Sequence, residues 1–397
     1  MAVLIIGGGI AGLACAASLA REGQTVTVLE AGAAVGGLAR TGVREGFAFN
    51  RGAHALYGGG AAQRVLTSLG IATRGHRPSL RGVVFRDGAA HRLPSTPWSV
   101  LTTSLLGMRS RVALARIFGG IRSLRGDERS AQAWVEAVGD DPVLRDFMAA
   151  MLRLSTYSGD LSAIRSDAAV AALRQATLHG VTYLDGGWQQ LVDALRDACV
   201  AAGVTMRTRA PVEAVEPGAV TLRDGTTLQA EHVVLAVPPS VAAQWVEVPA
   251  LGRAQVACLD VALHERPAGP GLAFDLDDPM YLSVHSDAAA LGPGALVHTL
   301  HYGAPEDARI RLEGLLDRTL PGWRERCVHA QFLPSITVTE GIVAPGGPPR
   351  PKVAVGPGLW RIGDAVGDHG GLADAALGSA QGVAHAIVRG AASARAA

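Results

Sequence analysis

Cysteine is scarce in this chain of 397 residues: Cys15, Cys199, Cys258 and Cys327 are the only four, and no two form a C-x-x-C pair. That excludes a disulfide framework and a dithiol redox centre, and leaves reduced, mostly buried thiols. Net charge is nearly absent as well, +1 from 36 basic and 35 acidic residues, which argues against a nucleic-acid-binding surface. Lysine is reduced to Lys352; with the richness in alanine this reads as a coding bias, and no function is drawn from it. No stretch is long, apolar and charge-free enough to span a bilayer. Residues 1–20 are uncharged, but they lack the basic start and continuous apolar run of a secretory signal, because Gly7-Gly8-Gly9 interrupts them. A cytoplasmic protein is expected. Internal repeats are also missing, so the length points to two intimately joined domains rather than an array.

What the chain does have is glycine, placed at its two ends. Val3 to Ile6 is an apolar run suited to a strand buried on both faces of a parallel sheet. Gly7, Gly9 and Gly12 follow in G-x-G-x-x-G register, and a helix opens near Ile10 and Ala11. Glycines so placed permit the turn, the approach of main chain to a pyrophosphate, and close packing of helix on strand. The helix's positive end and free amides then face that pyrophosphate. A second strand, 25–29, ends at Glu30, where a carboxylate accepts hydrogen bonds from ribose hydroxyls. This combination predicts a dinucleotide site.

At the other end, residues 359–362 read as a last strand with Gly363-Asp364 at its tip. The segment Gly371-Leu372-Ala373 opens a helix over 372–388, with Leu377, Ala380, Val383, Ala384 and Ile387 on one face. Between the ends, residues 191–198 form an amphipathic helix, a short strand leads to Val212, and a hairpin turns at Asp224-Gly225. A buried strand from His232 is then cut off by Pro238-Pro239.

After Glu30 come Gly36-Gly37-Leu38-Ala39-Arg40-Thr41 and the turn EGFAFNRGAHALY. Here the pattern resembles the FAD-dependent superfamily that contains phytoene desaturases, protoporphyrinogen oxidases and monoamine oxidases. The resemblance implies an α/β fold: a Rossmann-type FAD-binding domain of the glutathione-reductase-like flavoprotein kind, with a discontinuous α+β substrate domain. It covers three separated blocks, about half the chain. It implies that Gly37 and Arg40 meet the FAD diphosphate, a role in which a guanidinium is a good bidentate partner; a solvated surface arginine is the alternative. It further implies that Gly52, Ala53 and His54 pass against the flavin ring, that Val212 touches the adenine through its main chain, and that Asp364 binds a ribityl hydroxyl. The amino end of the last helix would then stabilise negative charge on the reduced flavin. No cysteine or histidine marks a covalent link, so FAD is expected to be noncovalent.

These blocks divide the chain into an FAD-binding domain of residues 1–75, 175–245 and 341–397, and a substrate domain of 76–174 and 246–340. Residues 76–170 look mostly helical. Within them 96–125 is a basic amphipathic stretch, which more often packs on its own protein but could contact a membrane peripherally. Residues 246–340 look richer in strands, including 295–302. His298 and His301 might suggest a metal, but an i,i+3 pair on a strand points to opposite faces, and no nearby acid in the sequence completes a site. No metal is expected.

For function, two departures from amine oxidases matter. Such enzymes in this superfamily place a lysine near the flavin and two aromatics around the substrate amine, whereas this chain has only Lys352 and no aromatic between Phe332 and Trp360. Arg350-Pro351 instead resembles the desaturase side. There is no second G-x-G-x-x-G, so a separate NAD(P)H domain is not expected. The reading is an FAD-dependent oxidoreductase removing a hydride from a C-C or C-N single bond of a small apolar substrate, reoxidised by oxygen, a quinone or another external acceptor. His54 is a candidate base, with Tyr57 or Tyr157 behind it, although a packing histidine is as reasonable. A redox-neutral isomerase, an amine oxidase and a non-catalytic escort-type member of the fold remain as alternatives.

Overall fold

In a computed structural model the backbone of residues 1–52 and 54–396 is described, with side chains up to Gly390. Ala2–Ile6 is the middle of a six-stranded sheet because Val3, Leu4, Ile5 and Ile6 find apolar partners on both sides. In order across the sheet the strands are Thr205–Arg207, Thr25–Leu29, Ala2–Ile6, His232–Leu235, Leu359–Arg361 and Ala354–Gly356. All neighbours run parallel except the last pair.

The alternation of side chains along these strands builds a separate core on each face. Val3, Ile5, Val28 and Val234 pack under the helices Ile10–Arg21, Gln189–Ala201 and Leu372–Ala396. Leu4, Leu29, Val233 and Leu235 pack under a three-stranded antiparallel sheet of Val212–Glu216, Ala219–Leu222 and Thr227–Gln229. Val212 therefore begins a strand of this second layer rather than ending one.

The other half of the molecule is a seven-stranded sheet. Its order is Cys327–Ile342, Gly252–Leu263, Ala295–Tyr302, Met280–Val284, Leu272–Asp275, Val83–Arg86 and Ala89–Arg92. The helix Ala308–Thr319 covers one face, burying Leu312, Leu315 and Leu316 against Leu259, Val261 and Val297. The helices Pro142–Thr156 and Ser166–His179 close the other, with Phe147, Met148 and Leu173 in a core shared with Val256 and Leu300. The expectation of a mostly helical 76–170 needs correction at its start. Residues 83–92 form a hairpin whose first strand pairs parallel with Leu272–Asp275, burying Val84 and Phe85 in the sheet. The short apolar run Val83-Val84-Phe85 ahead of the Asp87-Gly88 turn is a strand signal. Among the described residues no helix is long and apolar enough to cross a membrane.

Candidate functional site

A cleft of about 970 Å³ opens beyond the carboxyl ends of the parallel strands and extends to the seven-stranded sheet. Open α/β sheets bind ligands at this edge. The glycine loop forms one rim, and its three glycines do different things. Gly7 has φ +109°, and a Cβ there would stand 2.3 Å from the Ala236 carbonyl oxygen. At Gly12 a Cβ would stand 2.0 Å from the Gly7 oxygen, so Gly12 serves helix-on-strand packing and does not line the cleft. Around a Cβ on Gly9 there is no atom within 4 Å, and Gly9 faces the cleft with Gly7, Ile10 and Ala11.

Glu30 lies at the end of Thr25–Leu29 beside this rim. Its Oε2 accepts from the Gly8 amide at 2.8 Å and its Oε1 from the Gly32 amide at 2.7 Å, which fixes the carboxylate at the cleft wall. The Gly36 amide donates to the Gly8 carbonyl at 2.7 Å, laying Gly36-Gly37 against the first loop. Gly37 lines the cleft. Arg40 does not: it follows the short turn Gly37–Ala39, is exposed, and lays its Cγ beside Gly36 on the outside. The arginines on the cleft wall are Arg51 and Arg223. Arg51 stands one residue before Gly52 in the turn already singled out, and only its side-chain direction was hidden.

Val212 borders the cleft near Ala210 and Pro211. At the far end Gly363, Asp364, Gly371, Leu372 and Ala373 line it together. Asp364 is partly buried, and its removal from water raises its carboxyl above the ordinary range, partly opposed by the Thr339 hydroxyl and the Arg350 guanidinium. Arg350 is held by the Gly341 carbonyl, 2.8 Å from its Nε, and by the Gly370 carbonyl. Leu372 begins the last helix at φ +52°, a conformation costly for leucine, and its side chain meets the core around Phe147 and Tyr157.

His54 lies in the cleft between these ends. Its Nδ1 is 2.9 Å from the Gly52 carbonyl oxygen, and its ring packs edge-on to Trp188 at 4.9 Å. Burial lowers its pKa, so the ring is neutral at pH 7. The carbonyls of Gly52 and Leu38 and the Asp260 carboxylate favour a proton on it, and His298 opposes one. Gly52, at φ +87°, is packed away from the cleft, where a Cβ would stand 2.2 Å from Ile336 Cδ1. Ala53 lies outside the described residues. Tyr57, Tyr157, Trp188, Leu333 and Ile336 complete the wall around His54.

One group escaped the reading of the sequence. His298 and His301 do have acids beside them, supplied by a neighbouring strand and by the turn between two others. Asp260 stands directly opposite His298 and hydrogen-bonds its Nδ1, and Asp278 Oδ1 lies 2.8 Å from His301 Nε2. Both are histidine–aspartate hydrogen bonds, and among the described residues no cluster of three or more ligating side chains occurs. The Nε2 of His298 is buried without a partner, 5.1 Å separates its ring from that of His285, and its charge is felt at His54. Strand register, which no single-strand spacing reveals, creates this cluster.

The residues fit FAD. The empty space over Gly9 and Gly363 is what a close-lying cofactor needs, and Glu30 and Asp364 stand as acceptors at opposite ends of one continuous cleft. Three comparisons agree in kind. Over 112 residues the chain is 30% identical to protoporphyrinogen oxidase 2 of Arabidopsis thaliana, which spans 28% of this chain and 22% of that protein. Over 263 residues it is 28% identical to AofH of Mycobacterium tuberculosis, named as a flavin-containing monoamine oxidase, spanning 60% of this chain and 57% of that one. The chain thus spans less than two thirds of either relative. In fold it is similar to an oxidoreductase from Methanosarcina mazei, with a TM-score of 0.78 at 20% identity over 96% of this chain and 100% of the other. Residues 10–259 match the model of the flavin containing amine oxidoreductases. The glycine loop, the acids at the two ends of the cleft and that match converge: this chain belongs to the flavin containing amine oxidoreductase family, and its cofactor is FAD.

Proposed function

We propose that the protein takes a hydride from a C-C or C-N single bond of a largely apolar small molecule, with oxygen, a quinone or another external acceptor removing the electrons. The observation that supports this is the wall around His54. Tyr57, Tyr157, Trp188, Leu333, Ile336 and Val338 offer aromatic and aliphatic surface, and no lysine lines the cleft. Lys352 is exposed and outside it.

FAD, when bound, supplies the two-electron acceptor. The chain's own part is to bind, orient and manage a proton. The apolar wall excludes water and holds the substrate's reacting bond. Because burial keeps His54 neutral, its ring can receive the proton that a substrate loses with its hydride. The resulting imidazolium would be stabilised by the Gly52 and Leu38 carbonyls and by Asp260. The name of the AofH relative favours a second reading, an amine oxidase. Anaerobic bleaching of the flavin absorbance tests both. Apolar dehydrogenation substrates such as polyenes or porphyrinogens should bleach it under the first reading. Bleaching by simple amines alone, with peroxide released in air, would replace it by the second.

A further inference from the structure

The net charge of +1 conceals an asymmetry. Between residues 46 and 126 there are twelve arginines and a single acid, Asp87, whereas the rest of the chain carries 24 basic and 34 acidic residues. Elsewhere the arginines are widely ion-paired. Among the described residues, Arg86 is the only one of these twelve in an ion pair. Arg51 faces the cleft, and Arg111 is consumed internally by the carbonyls of Leu101, Thr103 and Leu106. Arg81, Arg92, Arg109, Arg116 and Arg122 are exposed and, among the described residues, form no ion pair.

The same stretch exposes apolar side chains. Trp98 and Met108 are each 67% exposed, Leu101 58% and Leu80 57%. They lie on neighbouring segments that hydrogen bonds tie together. Ser95 Oγ donates to the Leu80 carbonyl at 2.7 Å, and Thr103 Oγ1 donates to the Arg92 carbonyl at 2.7 Å. Arg111 fastens the helix Met108–Gly119 to the helix Pro97–Thr102. On these helices Trp98 and Leu101 are three apart, and Met108 and Val112 four apart, so each pair shares a face.

We infer that this surface docks on an anionic lipid bilayer, with Trp98, Leu101 and Met108 entering the interface and the unpaired arginines meeting the headgroups. Exposed tryptophan and methionine beside arginines that form no ion pair is the chemistry of an interfacial anchor. Nucleic acid would use the arginines and leave the apolar side chains in water. A second copy of the chain in a symmetric contact would set arginine against arginine. The inference does not depend on the substrate, since the surface lies outside the cleft.

The test is co-sedimentation of the flavin-loaded protein with vesicles of phosphatidylcholine alone or mixed with phosphatidylglycerol. Binding to the mixed vesicles, weak on the neutral ones and falling as salt rises, is expected. Arg109→Ser and Arg116→Ser should each weaken it roughly fivefold. Trp98→Ser with Met108→Ser should abolish it while leaving the flavin spectrum unchanged. Ile310→Ser, which removes an apolar side chain 74% exposed outside the patch, should have no effect. Three results would overturn the inference: no difference between neutral and anionic vesicles, duplex DNA bound as tightly as vesicles with the apolar variants unaffected, or a dimer in solution that the same apolar variants dissociate.

Discussion

Alanine at Gly9 and at Gly12 should separate cofactor binding from folding. Gly9 has φ −71° and ψ 177°, which alanine adopts freely, and its Cβ would meet no protein atom within 4 Å. In the apoprotein Gly9→Ala should therefore be neutral or stabilising, by about 0.4–1 kcal/mol through a less flexible unfolded chain. The new methyl group would stand where the main chain must approach the diphosphate. Loss of one charge-assisted hydrogen bond costs roughly 1.5–3 kcal/mol, so FAD affinity should fall about ten- to a hundredfold. Gly12→Ala is the reverse case. Its Cβ would lie 2.0 Å from the Gly7 oxygen and 3.3 Å from Ala236 Cβ, both in fixed structure. Overpacking of this kind costs roughly 1–3 kcal/mol or more and should appear in the apoprotein. Urea denaturation of apoprotein and titration of FAD fluorescence measure the two quantities. If Gly9→Ala binds FAD as the parent does, the cofactor does not pass over this loop and the site as drawn is refuted.

Glu30→Ala should weaken FAD retention and also cost roughly 1–2 kcal/mol of apoprotein stability, since the Gly8 and Gly32 amides lose their acceptor; gel filtration with absorbance at the flavin band reads the first. Asp364→Asn should loosen FAD yet stabilise the apoprotein. Burial raises the Asp364 pKa, so the folded state is penalised once the group ionises, and that penalty is absent below its unfolded value of 3.8. The variant's advantage in urea should therefore grow as pH rises above 3.8 and level off once the carboxyl itself ionises in the folded state; an advantage that shrinks as pH rises would contradict the assignment. His54→Asn should keep the flavin but slow anaerobic bleaching by roughly a hundredfold, the usual weight of a lost proton acceptor. Lys352→Ala should leave turnover unchanged, and a dead variant would restore a lysine-dependent amine oxidase.

The cofactor end was legible because its parts are neighbours in the chain. Gly7, Gly9 and Glu30 lie within thirty residues, and a strand, a turn and a helix suffice to bring them together. Gly363, Asp364 and Leu372 form the same kind of local unit. Arg40 lies outside the cleft lining and Arg51 within it, because a motif states distance along the chain and not the direction of a side chain after a three-residue turn. The substrate side was illegible for a different reason. Tyr157, Trp188 and Ile336 come from three remote segments, and Asp260 meets His298 only through the pairing of two long strands. Pattern along one strand shows which face a residue takes, not what stands across from it.

The order of strands in the six-stranded sheet also sets a timetable. Ala2–Ile6 is made before His232–Leu235, which must arrive to lie beside it, and Leu359–Arg361 must follow to cover that strand's open edge. Until that strand and the residues after it are synthesised, the nascent chain holds a glycine loop with no opposite jaw, since Asp364 and Leu372 do not yet exist. Cofactor capture therefore waits on the third of these strands, and a message truncated before residue 354 should yield a protein that added flavin does not rescue.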